Sequence, residues 1–394
     1  MKRLSLVVIL SGMMAILAGG CHRQKAAPAP SGAQIPPASE IVLSKARLTA
    51  AALAGGEYML RMQQADGSFL YYYDPASDTV IKSQYNVVRH AGAAYALFQL
   101  YEATRDPRYL DAARKAMVFL RTRFHPLPAE NAIYVLDFDN KAKLGANGLA
   151  LVAMVKQLQL DPGSASLDEA RQLANMIIAL QRKGGSFQSY HLLQVGEMAN
   201  DSLYYPGEAM LGLVTLYNIT HDQRLLDVAR AGADYLIFSQ DRMRELPPDA
   251  WLMQALEVLN KIGHDQRYIN HAIAIAETMI TYLYTESDPP GYAGAVRPGI
   301  PRSTPSASRA EGMLAAYRMA LEARDPRAAD LNKALQASAR FQLQQQFPCA
   351  GQSKFPNPQR AAGGFRESLD VERVRIDFVQ HNVSSLLGMA ATLY

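Results

Sequence analysis

Glu208 lies one turn into a stretch, Tyr205 to Thr220, whose other residues are mostly small or apolar. A carboxyl group buried in such surroundings holds its proton more tightly than usual and can serve as a general acid. Asp377 heads the last apolar stretch of the chain and is the carboxylate that could oppose it. One carboxyl as acid and a second as base or nucleophile is the pair that cleaves a glycosidic bond, and their separation sets the stereochemical outcome. A second set comprises His90 and His381, with Tyr85 and Arg89 near the first of them. These could abstract a proton next to a sugar carboxylate, the arginine neutralising the acid while a histidine or tyrosine exchanges protons. The same histidines could instead close a hydrogen-bond network where the ends of the domain meet. Asp249 follows Pro247-Pro248 and reads as a helix cap rather than a catalyst. Arg309 and Glu311 read either as substrate ligands or as a structural ion pair. Tyr204, Tyr205 and Trp251 are aromatic surfaces on which a sugar ring could stack.

The elements that must position these residues are helices in pairs. Asp201 to Gln240 contains one apolar helix carrying Gly207, Ala209 and Gly212, a polar turn His221-Asp222-Gln223-Arg224, and a second helix with Leu225, Ala229, Ala233 and Leu236 at helical period. Such a pair packs antiparallel and leaves an apolar face that needs neighbours. Further thin helices are expected over Tyr85 to Thr104, Leu144 to Leu160, Ala250 to Ile262, Arg309 to Ala323 and Phe378 to Leu393. Their thicker partners are expected at Ala46 to Gln64, Tyr109 to Arg121, Leu167 to Gln181, Arg267 to Tyr284 and Ala328 to Gln345. Apolar markers of the partner helices recur every 47 to 60 residues, at Tyr58, Val118, Met176, Tyr235, Tyr282 and Phe341. Arg105-Asp106-Pro107-Arg108, His264-Asp265-Gln266-Arg267 and Arg324-Asp325-Pro326-Arg327 repeat the polar turn, and Gln64…Gly67-Ser68-Phe69, Gln181…Gly185-Ser186-Phe187 and Gln346…Gly364-Phe365 follow partner helices. Six units without obvious polar end caps argue for closure into a ring with thin helices inside.

On this pattern, residues 44–394 resemble the six-hairpin, or (α/α)6, toroid enzymes, a superfamily dominated by carbohydrate-active proteins. The resemblance implies an all-α fold of about twelve antiparallel helices and a polysaccharide or oligosaccharide as partner. Short turns lie at one end and long, dissimilar connections at the other, where binding sites usually develop. The amino-terminal ends of the inner helices face that mouth and favour an acidic sugar modestly. Arg375-Ile376-Asp377-Phe378-Val379-Gln380-His381 resembles the terminal segment of uronyl epimerases. Lanthionine cyclases of similar shape use a zinc-binding cysteine and histidine set that Cys349 alone cannot supply, and Asp137-Phe138-Asp139-Asn140 is a poor version of the aspartate-rich run of terpene cyclases. There is no H-E-x-x-H, G-x-S-x-G or phosphate-cradling loop, so neither metal nor cofactor is expected.

The chain has 394 residues and a formal charge of +4, and shows no basic tract that would suggest nucleic acid. Residues 1–20 read as a signal peptide: Lys2 and Arg3, an apolar run from Leu4 to Leu17, then small residues. Leu17-Ala18-Gly19-Gly20-Cys21 resembles a bacterial lipoprotein processing site, with Ala18 where a larger aliphatic residue is usual. That resemblance implies lipidation of Cys21, a membrane anchor and, with His22 following, an outer-membrane address facing the periplasm. Residues 21–43 form an Ala/Pro-rich tether. The expected activity is an envelope-anchored glycoside hydrolase, with a uronate lyase or C5-epimerase, or a non-catalytic scaffold for glycan or an envelope protein, as alternatives.

Overall fold

A computed structural model describes residues 40–192, 201–349 and 354–394. The signal peptide, Cys21 and most of the tether lie outside the described residues. The helices are α1 (Lys45–Met62), α2 (Val87–Thr104), α3 (Pro107–Arg121), α4 (Leu144–Leu160), α5 (Leu167–Ala179), α6 (Tyr205–Thr220), α7 (Gln223–Gln240), α8 (Ala250–Gly263), α9 (Gln266–Thr281), α10 (Ser303–Glu322), α11 (Ala328–Gln345), the short α12 (Pro358–Ala361) and α13 (Ile376–Thr392). Among the described residues no helix is long and apolar enough to cross a membrane.

The ring closes. Helices α2, α4, α6, α8, α10 and α13 each pack on the next, and α13 packs on α2. Outside them, α3, α5, α7, α9 and α11 cover the inner helix that precedes each, and α1 covers α13. The chain's first and last long helices are therefore one hairpin. Small residues make the inner ring tight: a Cβ on Gly207 would sit 2.4 Å from the backbone nitrogen of Leu252 on α8.

The two sequence echoes are two kinds of fastener. In the short turns, Arg105, His221, His264 and Arg324 adopt the left-handed conformation (φ 49 to 58°) that ends a helix. The aspartate after each accepts the N–H of the arginine two residues on, at 2.9 to 3.1 Å, starting the next helix. At the opposite end, Gln63, Gln181 and Gln346 donate side-chain N–H groups to the carbonyls of Ala112, Val228 and Ala51, at 2.7 to 2.8 Å. Each such bond joins one outer helix to the next, and the last joins α11 to α1 across the closure. The first belongs to Gln63, not the expected Gln64, which binds its own loop through Ser68.

The long connections hold short strands that helical periodicity does not reveal. Strand β1 (Tyr72–Asp74) pairs with β2 (Thr79–Val80) and with β7 (Val374–Arg375). Strands β3 (Phe124–Leu127) and β4 (Ala132–Val135) form a hairpin, and β5 (Ala142–Lys143) pairs with β6 (Tyr190–Leu192). The β1–β7 pair links the first long loop to the last and sets the start of α13. Helix α10 begins six residues before the expected Arg309, because Pro305 in its first turn needs no backbone donor there.

Candidate active site

The amino-terminal ends of the inner helices surround a cavity of about 460 Å³. Its walls include Arg89 from α2, Tyr205 and Glu208 from α6, Trp251 from α8, Arg309 from α10, and Asp377, Gln380 and His381 from α13, with Tyr204, Arg302 and Arg375 at the helix starts. In a ring of six, α6 stands opposite α13. Glu208 and His381 therefore face each other across the cavity.

Glu208 is 4 % exposed, and among the described residues its Oε2 has no hydrogen-bond partner. Burial, and then the nearby Asp249 carboxylate, push its pKa well above the usual carboxyl range and so favour its protonated form. Its place depends on Gly145 of α4, where a Cβ would come within 2.1 Å of Oε2. Asp249 caps α8 by accepting the N–H groups of Trp251 and Leu252, at 3.1 and 3.0 Å. Burial raises it to about 7, against those two bonds. The cap reading of Asp249 is what its geometry shows, with the added effect on Glu208.

His381 is bonded at Nδ1 to Glu311 Oε2, 2.8 Å away, which leaves Nε2 as the nitrogen available to the cavity. Burial disfavours the imidazolium, but the Glu311 carboxylate outweighs it and the net direction is up. Glu311 is also raised, by its own burial against the pull of His381. The pair thus holds a proton jointly, as a base oriented by a carboxylate. The indole of Trp251 lies beside it, with ring centroids 6.1 Å apart.

Asp377 is fully engaged. Arg375 holds it with two contacts, Nε to Oδ1 at 2.5 Å and Nη2 to Oδ2 at 3.0 Å. Arg89 adds a third at 3.4 Å while donating to the Tyr71 hydroxyl at 2.7 Å. Arg375 was missed in the sequence; it stands two residues before Asp377, the reverse of the aspartate-then-arginine order of the short turns. Arg309 does not pair with Glu311; among the described residues it makes no ion pair or hydrogen bond, and burial lowers its pKa.

Two expected residues are elsewhere. His90 is buried between α2 and α3, with Nδ1 at 2.8 Å from the Tyr85 hydroxyl and Nε2 at 2.8 Å from the Ala116 carbonyl. The Tyr85 hydroxyl also accepts the Phe69 N–H. Neither lines the cavity: His90 lies on the face of α2 that packs on α3, and Tyr85, just before the helix, packs against Phe119 of α3 with ring centroids 5.6 Å apart, so His90 and His381 sit on neighbouring helices without meeting. Burial takes His90 down to about 4 and keeps it neutral. Asn147 likewise pins β4, accepting from Val135 and donating to Ile133. Asp137 accepts from the Val87 N–H, Asn86 and Lys143, holding the start of α2.

No family model matches the sequence, and no curated protein matches it. Solved structures do. Cellobiose 2-epimerase from Bacillus thermoamylovorans superposes with a TM-score of 0.68 at 14% identity, covering 88% of this chain and 99% of that one. The chain has the six-hairpin, (α/α)6-toroid fold. A D-mannose isomerase gives a TM-score of 0.65 at 14% identity, covering 89% of this chain and 98% of its own. An α-mannanase of glycoside hydrolase family 76 from Bacteroides thetaiotaomicron gives 0.64 at 12% identity, covering 87% and 95%. The neighbours with this fold thus include an epimerase, an isomerase and a mannanase.

Proposed function

We propose that this toroid acts on a saccharide by proton transfer at a carbon beside a carbonyl, as an epimerase or isomerase. One observation carries the reading: His381, bonded to Glu311, and the buried, unpaired Glu208 stand on opposite walls of one cavity. His381 Nε2 takes the proton, the C–H electrons form the enediol double bond, and the carbonyl oxygen gains the charge. Glu208, on the far side, supplies a proton to the opposite face of the carbon, which inverts it, or to the neighbouring position, which isomerises the sugar. Trp251 and Tyr205 supply flat surfaces for the ring. The epimerase and isomerase among the structural neighbours are in keeping with this chemistry.

Hydrolysis is the second reading, favoured by Glu208 as a ready acid with Asp377 on the opposite wall. It is the weaker one, because both carboxylate oxygens of Asp377 are already taken up by contacts with Arg375 and Arg89. An inactive variant of a related α-1,6-mannanase has two consecutive aspartates replaced, whereas the carboxylates lining this cavity come from separate helices. Incubation of the purified domain with reducing sugars and with exopolysaccharides separates the two. Epimers or ketoses without new reducing ends support proton transfer. New reducing ends that vanish in Glu208→Gln and persist in His381→Ala overturn it.

The address is proposed on the sequence alone: lipidation at Cys21, followed by the Ala/Pro-rich tether, would hold the toroid at the periplasmic face of the outer membrane, near envelope glycans and envelope proteins. Metabolic labelling with a fatty acid, lost in Cys21→Ser, is the expected result.

A further inference from the structure

We infer that the saccharide carries a negative group, held by Arg309. This rests on the cavity being the substrate site, and it names the class of substrate. Four arginines line the cavity, Arg89, Arg302, Arg309 and Arg375. Arg375 and Arg89 share Asp377, and Arg302 reaches Glu367 at 3.4 Å. Glu208 adds no charge while it is protonated. Among the described residues, Arg309 alone of the four has no carboxylate, and its Nη1 is buried without a partner.

A half-buried guanidinium left in this state is costly unless something completes it. The chain offers candidates nearby and uses none: Glu311, two residues along the same helix, is spent on His381. Gln380, 2 % exposed on the cavity wall, also has an unpartnered side-chain N–H. The Gln380 amide lies against Gly92 of α2, on the side of α13 away from α10, so the anionic group is assigned to Arg309 alone. The aligned starts of the inner helices add in the same direction. A planar guanidinium fork matches a carboxylate or a phosphate ester, and a neutral sugar hydroxyl leaves its charge uncompensated.

The test is binding rather than turnover, so it stands apart from the proton-transfer reading. Methyl glucoside, methyl glucuronoside and methyl glucoside 6-phosphate have no free carbonyl and cannot be epimerised. Calorimetric titration of each into the domain is expected to show at least one anionic glycoside binding about tenfold or more tightly than the neutral one, as a charge-assisted bond implies. Whichever anion is favoured identifies carboxylate or phosphate as the group. The advantage is expected to disappear in Arg309→Gln, return in part in Arg309→Lys, and shrink with added salt, with melting temperature confirming that each variant is folded. Equal binding of all three glycosides, or an anion preference that survives in Arg309→Gln, would overturn the assignment.

Discussion

Two glutamates on the inner ring are almost equally buried and behave in opposite ways. Glu208, at one mouth of the toroid, is 4 % exposed and Glu257, near the other, is 5 % exposed. Glu257 receives Arg318 Nε at 2.7 Å and Nη2 at 2.5 Å, together with Lys261 Nζ at 2.7 Å. Burial alone would raise Glu257, but Arg318 and Lys261 more than offset it and the direction is down. Glu208 has no cation and goes up. Lys156 beside Glu257 is likewise paired, with Glu102 at 2.9 Å. The opposite mouth, a cavity of about 340 Å³, is thus a satisfied ionic seam, while the amino-terminal mouth keeps an acid, a base and a cation unmet. Burial by itself does not mark a functional carboxylate; burial without a partner does.

The largest break in that contrast is expected from Glu208→Gln. It should lower turnover about 10²- to 10⁴-fold while leaving the melting temperature unchanged or higher, because glutamine is the neutral isostere of the protonated form that burial favours. Glu257→Gln should do the reverse, costing about 1–2 kcal/mol of stability after allowing for the partial exposure of Arg318 and Lys261, with turnover largely kept. Urea titrations alongside kinetic assays read both.

Gly145→Ala is expected next. Its methyl group must displace Glu208, costing about 1–3 kcal/mol and part of the activity, measured in the same assays.

The pH dependence sharpens the comparison. Glu208 binds its proton more tightly folded than unfolded, so its contribution is present below its ordinary value of 4.5 and lost as pH rises toward the raised folded value. Glu257 is depressed, so its contribution is present above 4.5 and lost as pH falls through the folded value. Denaturation from pH 4 to 8 should therefore show a steeper gain in stability with pH in Glu208→Gln than in the wild-type chain, and acidification below pH 4.5 a smaller loss in Glu257→Gln. The smallest effect belongs to the fasteners: Gln346→Ala, which unpins α11 from α1, should cost about 1 kcal/mol.

Much of the architecture was legible because it is periodic. The small residues of the inner helices, the Asp-x-Arg turns and the glutamine-led loops each recur, and recurrence survives without coordinates. The site was legible in part. Glu208, Arg89, Tyr204, Tyr205, Trp251, Arg309, Asp377 and His381 sit near the starts of inner helices, and the ring brings those starts together. What the sequence could not supply was which face of a helix each side chain occupies. His90 lies one residue after Arg89, yet one faces α3 and the other the cavity, a turn of about 100°. Pairing was equally hidden: Glu311 took His381 rather than Arg309, and Asp377 was claimed by Arg375 from a strand too short to show periodicity.

The most direct measurement is incorporation of solvent deuterium into a reducing sugar, followed by mass spectrometry in heavy water. Incorporation by the wild-type chain and by Glu257→Gln, with loss in His381→Ala and incorporation without inversion in Glu208→Gln, is the predicted result. Incorporation that survives in His381→Ala, or hydrolysis of glycosides with no deuterium gained, would contradict the assignment of proton transfer to this mouth of the ring.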